Sequence, residues 1–319
     1  MPAGDRDAEE DPQVVVPPAG RPGAAVLAGQ RHPEAAGVAR AALAERQFRT
    51  VGGVSSEAVP ATEARQGDAA AHADHVGGRT AGAAESAAQG MTSPGAVLVH
   101  GLWHGAWCWD EVRAGLADRG VDSVAVELPL TDLPTDVSAT REALEEFGRP
   151  AVLVGHSYGG AVITAAGAHP LVRQLLYVAA FQLDEGESVS RTRPGRDLPD
   201  TRLAEAMVVS GDEVLLDPDL GPRLLYSDVP GDVAAAAAAR LRPVSRPVFR
   251  GVPETIAWRT VPSTYVVCAT DQVVHPDLQR AMAGRATRTL EWPCGHSPQA
   301  GRPGAVAELI AERVRATTS

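Results

Sequence analysis

From Met91 onward, short and nearly unbroken apolar runs alternate with stretches in which apolar positions recur every three or four residues. The runs at 96–100, 123–127, 151–155, 175–180, 263–269 and 288–292 predict strands. Several are apolar almost throughout, as expected of strands covered on both faces; parallel strands of that kind need crossovers of about a dozen residues or more. Helical spacing fills the intervals at 109–119, 137–147, 159–168, 276–283 and 304–316, and the first four stop at Gly120, Gly148, Pro170 and Gly284. The pattern predicts a doubly wound, mostly parallel α/β sheet of six strands.

Two regions break the rhythm. Residues 182–262 are too long for an ordinary loop and hold a helical piece at 232–241 among turn signals at Pro194, Pro218, Pro222 and Pro243. They read as an inserted helical lid over the carboxyl edge of the sheet, where ligand crevices of such sheets lie. Residues 1–90 are Ala, Gly, Arg and Pro punctuated by acids, with few large apolar side chains to offset the entropy of ordering. They are expected to be disordered apart from a short helix near 35–49, and Met91 is the expected start of the folded chain, either after a leader or as the true initiator.

Composition narrows the partners. The net charge of −11, without a single lysine, supplies no basic face for nucleic acid. Cys108, Cys268 and Cys294 form an odd, sparse set without CxxC spacing, which suggests neither a disulfide framework nor a zinc site. The start MPAGDRDAEEDP lacks the basic-then-apolar order of a signal peptide, and no apolar run approaches the roughly 18 residues of a membrane span. A cytoplasmic location without membrane association is expected; the oligomeric state is not encoded in any pattern.

The chemistry concentrates at three strand ends. Gly155-His156-Ser157-Tyr158-Gly159 follows one strand and opens a helix, the context in which a G-x-S-x-G run forms a tight turn that projects a serine hydroxyl from the sheet. A serine needs an adjacent base. His296, in Cys294-Gly295-His296-Ser297 just past the last strand, is the best-placed histidine; His100, His104 and His156 read as local structural groups. An acid must then orient the imidazole. Asp271, after the strand STYVVCA, gives the chain order Ser, Asp, His, and Asp184 is its rival. The amides of Leu102, in the loop His100-Gly101-Leu102-Trp103-His104-Gly105, and of Tyr158 are the candidate oxyanion donors. Trp103 and Trp258, with Trp107, Trp109 and Tyr158, are candidates to wall an apolar pocket.

These residues resemble a branch of the α/β-hydrolases that holds plant methyl esterases, plant hydroxynitrile lyases and small bacterial esterases. The likeness rests on VLVHGLWHGAWCWDEV, VLVGHSYGGAVI, STYVVCATDQVVHPDLQ and the CGHS loop, with LLYSDVPGDVAAAAAARLRPVS similar to that family's lid. It spans most of 91–319 and none of 1–90. The resemblance implies a six-stranded core beginning at AVLVH, with Ser157, Asp271 and His296 as triad and Leu102 and Tyr158 as oxyanion amides. The lyases carry threonine and lysine where this chain has Gly101 and Ser297, so their distinguishing groups are missing; His275 stands where relatives often have proline. The expected activity is hydrolysis of a small carboxylic ester with no metal or organic cofactor. The alternatives are thioesterase or lyase chemistry on the same triad, or a binding protein that retains the site.

Overall fold

The computed structural model describes residues 93–192 and 201–317. The expectations for 1–90, including the helix near 35–49 and the start at Met91, lie outside the described residues.

Six parallel strands form the main sheet in the order β2-β1-β3-β4-β8-β9. They are β1 Gly95–Val99, β2 Ser123–Val126, β3 Ala151–His156, β4 Val172–Val178, β8 Ser263–Cys268 and β9 Arg288–Trp292. The two-residue alternation of strand side chains sorts them into two cores. Val97 and Leu153 join Val162 and Ile163 of α3 (Gly159–Ala166), Leu144 of α2 (Leu133–Phe147) and Met282 of α7 (Pro276–Ala283) on one face. Leu98 and Val154 join Leu116 of α1 (Asp110–Ala117) and Ile310 of α8 (Pro303–Arg315) on the other. Each fully buried side chain of this size contributes roughly 1.5–3 kcal/mol against exposure, which is why the strands read as continuous apolar runs.

The strand order reverses direction between β1 and β3, so the loops leaving their carboxyl ends part and open a crevice there. Val99 lies opposite Gly155 in the ladder, which brings the Gly101–Leu102 loop beside the turn that carries Ser157. At the other flank Cys268 pairs with Trp292, placing the loops that carry Asp271 and His296 next to each other on the same rim.

Between β4 and β8 the insertion supplies the helical piece expected at 232–241 as α6 Gly231–Ala238, together with two shorter helices, α4 Leu203–Ala206 and α5 Leu220–Leu225. It also carries an antiparallel sheet of β5 Met207–Ser210, β6 Glu213–Leu216 and β7 Val244–Ser245, which the pattern reading did not anticipate. The hairpin turns on Gly211-Asp212, with Gly211 at φ 61°, a left-handed conformation open to glycine at little cost. No helix among the described residues is long and apolar enough to cross a membrane.

Candidate active site

Ser157 sits between β3 and α3 with φ 53°, a left-handed backbone that costs a non-glycine residue roughly 1–3 kcal/mol. Its neighbours hold it there. The Ser157 amide donates to Val178 O at 3.2 Å, and its carbonyl accepts from Phe181 at 3.0 Å and from Gly160 at 3.0 Å. The turn closes so tightly that a Cβ on Gly155 would lie 2.6 Å from the Gly159 carbonyl oxygen, and one on Gly159 would lie 2.5 Å from that of Val99. That crowding explains the glycine at both positions flanking His156, Ser157 and Tyr158.

His296 Nδ1 and Asp271 Oδ2 are hydrogen bonded at 2.7 Å, both side chains buried. The carboxylate is fully occupied: Oδ1 accepts from the amides of Val273 and Val274 at 2.7 and 3.0 Å, and Oδ2 also accepts from Gln279 Nε2 at 2.7 Å. Gln279, on α7, is itself fixed because its Oε1 accepts from the Cys268 amide at 2.8 Å and its Nε2 donates to Val274 O at 2.8 Å. With four donors on an acceptor-only group, Nδ1 must carry the imidazole proton, leaving Nε2 with its lone pair. Of the two rival acids the structure joins Asp271 to the imidazole. Asp184 instead pairs with Arg259 on the surface and accepts from the Glu185 amide.

The backbone of His296 is anchored as well. His156 Nε2 meets His296 O at 2.8 Å, with ring centroids 4.8 Å apart, so the residue preceding Ser157 touches the histidine loop directly. Gly295 donates to Asp228 Oδ2 at 2.8 Å, a tie from the insertion. The Ser157 hydroxyl makes no hydrogen bond among the described residues, and neither the Leu102 nor the Tyr158 amide has a partner there. Tyr158 is otherwise locked, its hydroxyl donating to Asp136 Oδ2 at 2.6 Å.

Three nearby histidines are buried and hydrogen bonded to main-chain carbonyls. Burial holds His100 down at about 3 and His104 at about 4, and pushes His156 well below its ordinary value of 6.5. Burial pushes Asp136 the other way, up to about 6. The signs oppose each other. A depressed histidine stabilises the fold fully above pH 6.5 and loses that contribution as pH falls toward its folded value, because only the unfolded chain takes the proton. The raised aspartate stabilises below its unfolded 3.8 and loses its contribution as pH rises toward 6. Three histidines outweigh one aspartate. Urea midpoints followed from neutral pH down to about pH 5 should therefore show stability falling by about 2–3 kcal/mol per pH unit below pH 6.5. A flat profile would contradict the burial of three neutral imidazoles.

The indole candidates divide. Trp103 donates its ring N–H to Val214 O at 3.0 Å, and Trp258 donates to Leu183 O at 2.8 Å, so both are tied to backbone between β4 and β8. Trp107 lines a cavity of about 220 Å³, walled also by His104, Tyr226, Val233, Ala237 and Gln299, between the turn Ala106–Trp109 and α6. His275 caps α7, its Nδ1 accepting from the Asp277 amide at 3.2 Å ahead of Pro276, which accounts for a histidine at that position. Gln279 and Asp228 escaped the motif reading although both lie inside the stretches that carried the resemblance. Among the described residues no group of three or more His, Cys, Asp or Glu side chains is arranged to hold a metal ion.

Residues 96–309 match the model of the alpha/beta hydrolase family, and the chain belongs to that family. Within it the chain stands among ester hydrolases. It is 28% identical over 250 residues to a carbendazim hydrolyzing esterase of Nocardioides, covering 67% of this chain and 97% of the relative. It is 25% identical over 244 residues to methylesterase 18 of Arabidopsis thaliana, covering 63% and 86%. Among solved structures, a pyrethroid hydrolase from Sphingobium faniae superposes with a TM-score of 0.62 at 24% identity, covering 70% of this chain and 98% of that one.

Proposed function

We propose that the protein hydrolyses a small carboxylic ester through a covalent acyl-enzyme formed on Ser157. The observation that carries this reading is the buried 2.7 Å bond between His296 Nδ1 and Asp271 Oδ2 on the rim where the strained Ser157 turn projects its hydroxyl. Ser157 Oγ attacks the ester carbonyl carbon as His296 Nε2 takes its proton, and the imidazolium formed is stabilised by Asp271. The carbonyl oxygen gains the electron pair and is received by the unpartnered amides of Leu102 and Tyr158. The intermediate collapses, the C–O bond to the alcohol breaks, and His296 returns the proton to the departing oxygen. Water, deprotonated by His296, repeats the attack on the acyl carbon and releases the acid and free Ser157. No step calls on a metal or organic cofactor.

The lack of a hydrogen bond on the Ser157 hydroxyl fits this cycle, since such contacts commonly tighten only once substrate is bound. The lyase alternative finds no support at residue 101, where a Cβ would lie 2.8 Å from the Ser157 Cβ and a threonine would force the turn to shift. A cytoplasmic location is a companion proposal, resting on the odd, sparse cysteine set without CxxC spacing.

Turnover of p-nitrophenyl acetate, with a thioester and a cyanohydrin assayed in parallel, tests the reading. A burst of p-nitrophenol followed by steady release, without cyanide release, is expected. Cyanide release without ester turnover would move the chain to lyase chemistry, and turnover confined to the thioester would move it to the thioesterases.

A further inference from the structure

We propose that Arg242, from the insertion, is the positioning residue that sets the oxyanion loop in its working shape, so that seating the insertion and assembling the Leu102 donor are one event. This rests on the serine-hydrolase reading above. Trp103, next to Leu102, is held at φ 62°, a left-handed conformation that an aromatic residue keeps only where its surroundings over-determine it. The ties that do so come from the insertion. The Arg242 amide donates to Trp103 O at 2.9 Å, and its Nε donates to His104 O at 3.0 Å. From the same guanidinium, Nη2 donates to Leu128 O at 2.6 Å and to Glu127 Oε1 at 2.7 Å, fixing the loop against the end of β2.

Two further ties from the insertion close on the same loop. The Trp103 indole N–H donates to Val214 O on β6, and Tyr226 O–H meets His104 Nε2 at 2.9 Å. That second contact leaves His104 Nδ1 to donate to Leu102 O at 2.8 Å, steadying the residue whose amide faces the reaction. Glu127, held by Arg242, in turn accepts from the Ala106 amide at 2.8 Å where the loop ends. A planar fork with donors in fixed directions is what permits one side chain to bridge two carbonyls and a carboxylate; a lysine ammonium has the charge without that geometry. Without the fork, His104 O, Leu128 O and Glu127 lose their common anchor, so the loop can drift from the end of β2 and turn the Leu102 amide away even though the Arg242 main-chain amide still meets Trp103 O.

The test compares wild type with Arg242→Gln and Arg242→Lys by hydrogen–deuterium exchange of the 100–106 segment, melting temperature, and kinetics on p-nitrophenyl acetate and its thionoester. Both variants should stay folded and exchange faster in that segment, and kcat on the ester should fall about 10²-fold with KM unchanged, the size of one lost oxyanion donor. Sulfur is a poor hydrogen-bond acceptor, so the preference for ester over thionoester should shrink by a similar factor. Unchanged exchange in the segment overturns the proposal. So does a loss of equal size on ester and thionoester, which a merely structural weakening would give. If the wild type turned over neither substrate, the esterase reading would fail by itself, and the exchange data would still decide whether Arg242 shapes the loop.

Discussion

Ser157→Ala is expected to remove ester hydrolysis almost entirely, lowering kcat by about 10⁶-fold while KM and melting temperature change little. The substitution keeps the Cβ and the left-handed backbone at φ 53°, and the main-chain bonds to Val178, Phe181 and Gly160 do not involve the hydroxyl. The turn should therefore survive, and only the atom that forms the acyl bond is lost. Residual acceleration of roughly 10³–10⁴ over water is what the unpartnered Leu102 and Tyr158 amides and substrate binding would still supply. Steady-state kinetics on p-nitrophenyl acetate beside a thermal melt checks both halves, and activity within a few-fold of wild type would remove Ser157 from the mechanism.

The second large effect concerns the acid. Asp271→Asn should cost about 10⁴-fold in kcat with the fold retained. An asparagine oxygen can still accept from the amides of Val273 and Val274, which keeps the turn, but its NH₂ then faces His296 Nδ1. That nitrogen must accept rather than donate, so the proton moves to Nε2 and the imidazole meets Ser157 with no lone pair. Asp184→Asn provides the control, because Asp184 pairs with Arg259 at a half-exposed position, not with the imidazole, and such pairs contribute little. It should leave kcat within a few-fold, and the opposite pattern in the two variants would reverse the assignment.

Much of the frame was legible because strands buried on both faces cannot hide in sequence. Arg288–Trp292 and Pro276–Ala283 coincide with their predicted bounds. The misses have local causes. β4 begins at Val172, earlier than its pattern suggests, because Arg173 and Gln174 interrupt the apolar run within its first three residues. α2 begins at Leu133, where Asp132 accepts from the Thr135 amide and Pro134 fits the first turn, a start signal more telling than the apolar spacing that begins at Val137. The hairpin on Gly211-Asp212 carried its own signal, two apolar runs separated by a glycine-led pair, inside a segment whose prolines suggested loops.

The proposed triad residues could be named from sequence because each follows a strand at its carboxyl end and the family order fixes their sequence. Their supports could not. His156 reaches His296 across 140 residues, Asp228 reaches Gly295 across 67, and Arg242 reaches His104 across 138. None of these contacts has a period or a motif; the first exists only once β3 and the loop after β9 meet on the rim, and the other two only once the insertion is seated there. Asp184 remained a rival to Asp271 in sequence because both follow strands, and the assembled sheet sets Asp271 against the imidazole.

Peptide mapping after reaction with a fluorophosphonate probes the convergence of nucleophile and base most directly. The expected result is a single adduct on the peptide bearing Ser157, formed rapidly in the wild type and orders of magnitude more slowly in His296→Ala. An adduct on a different serine, or one that forms at Ser157 equally fast without His296, would contradict the account.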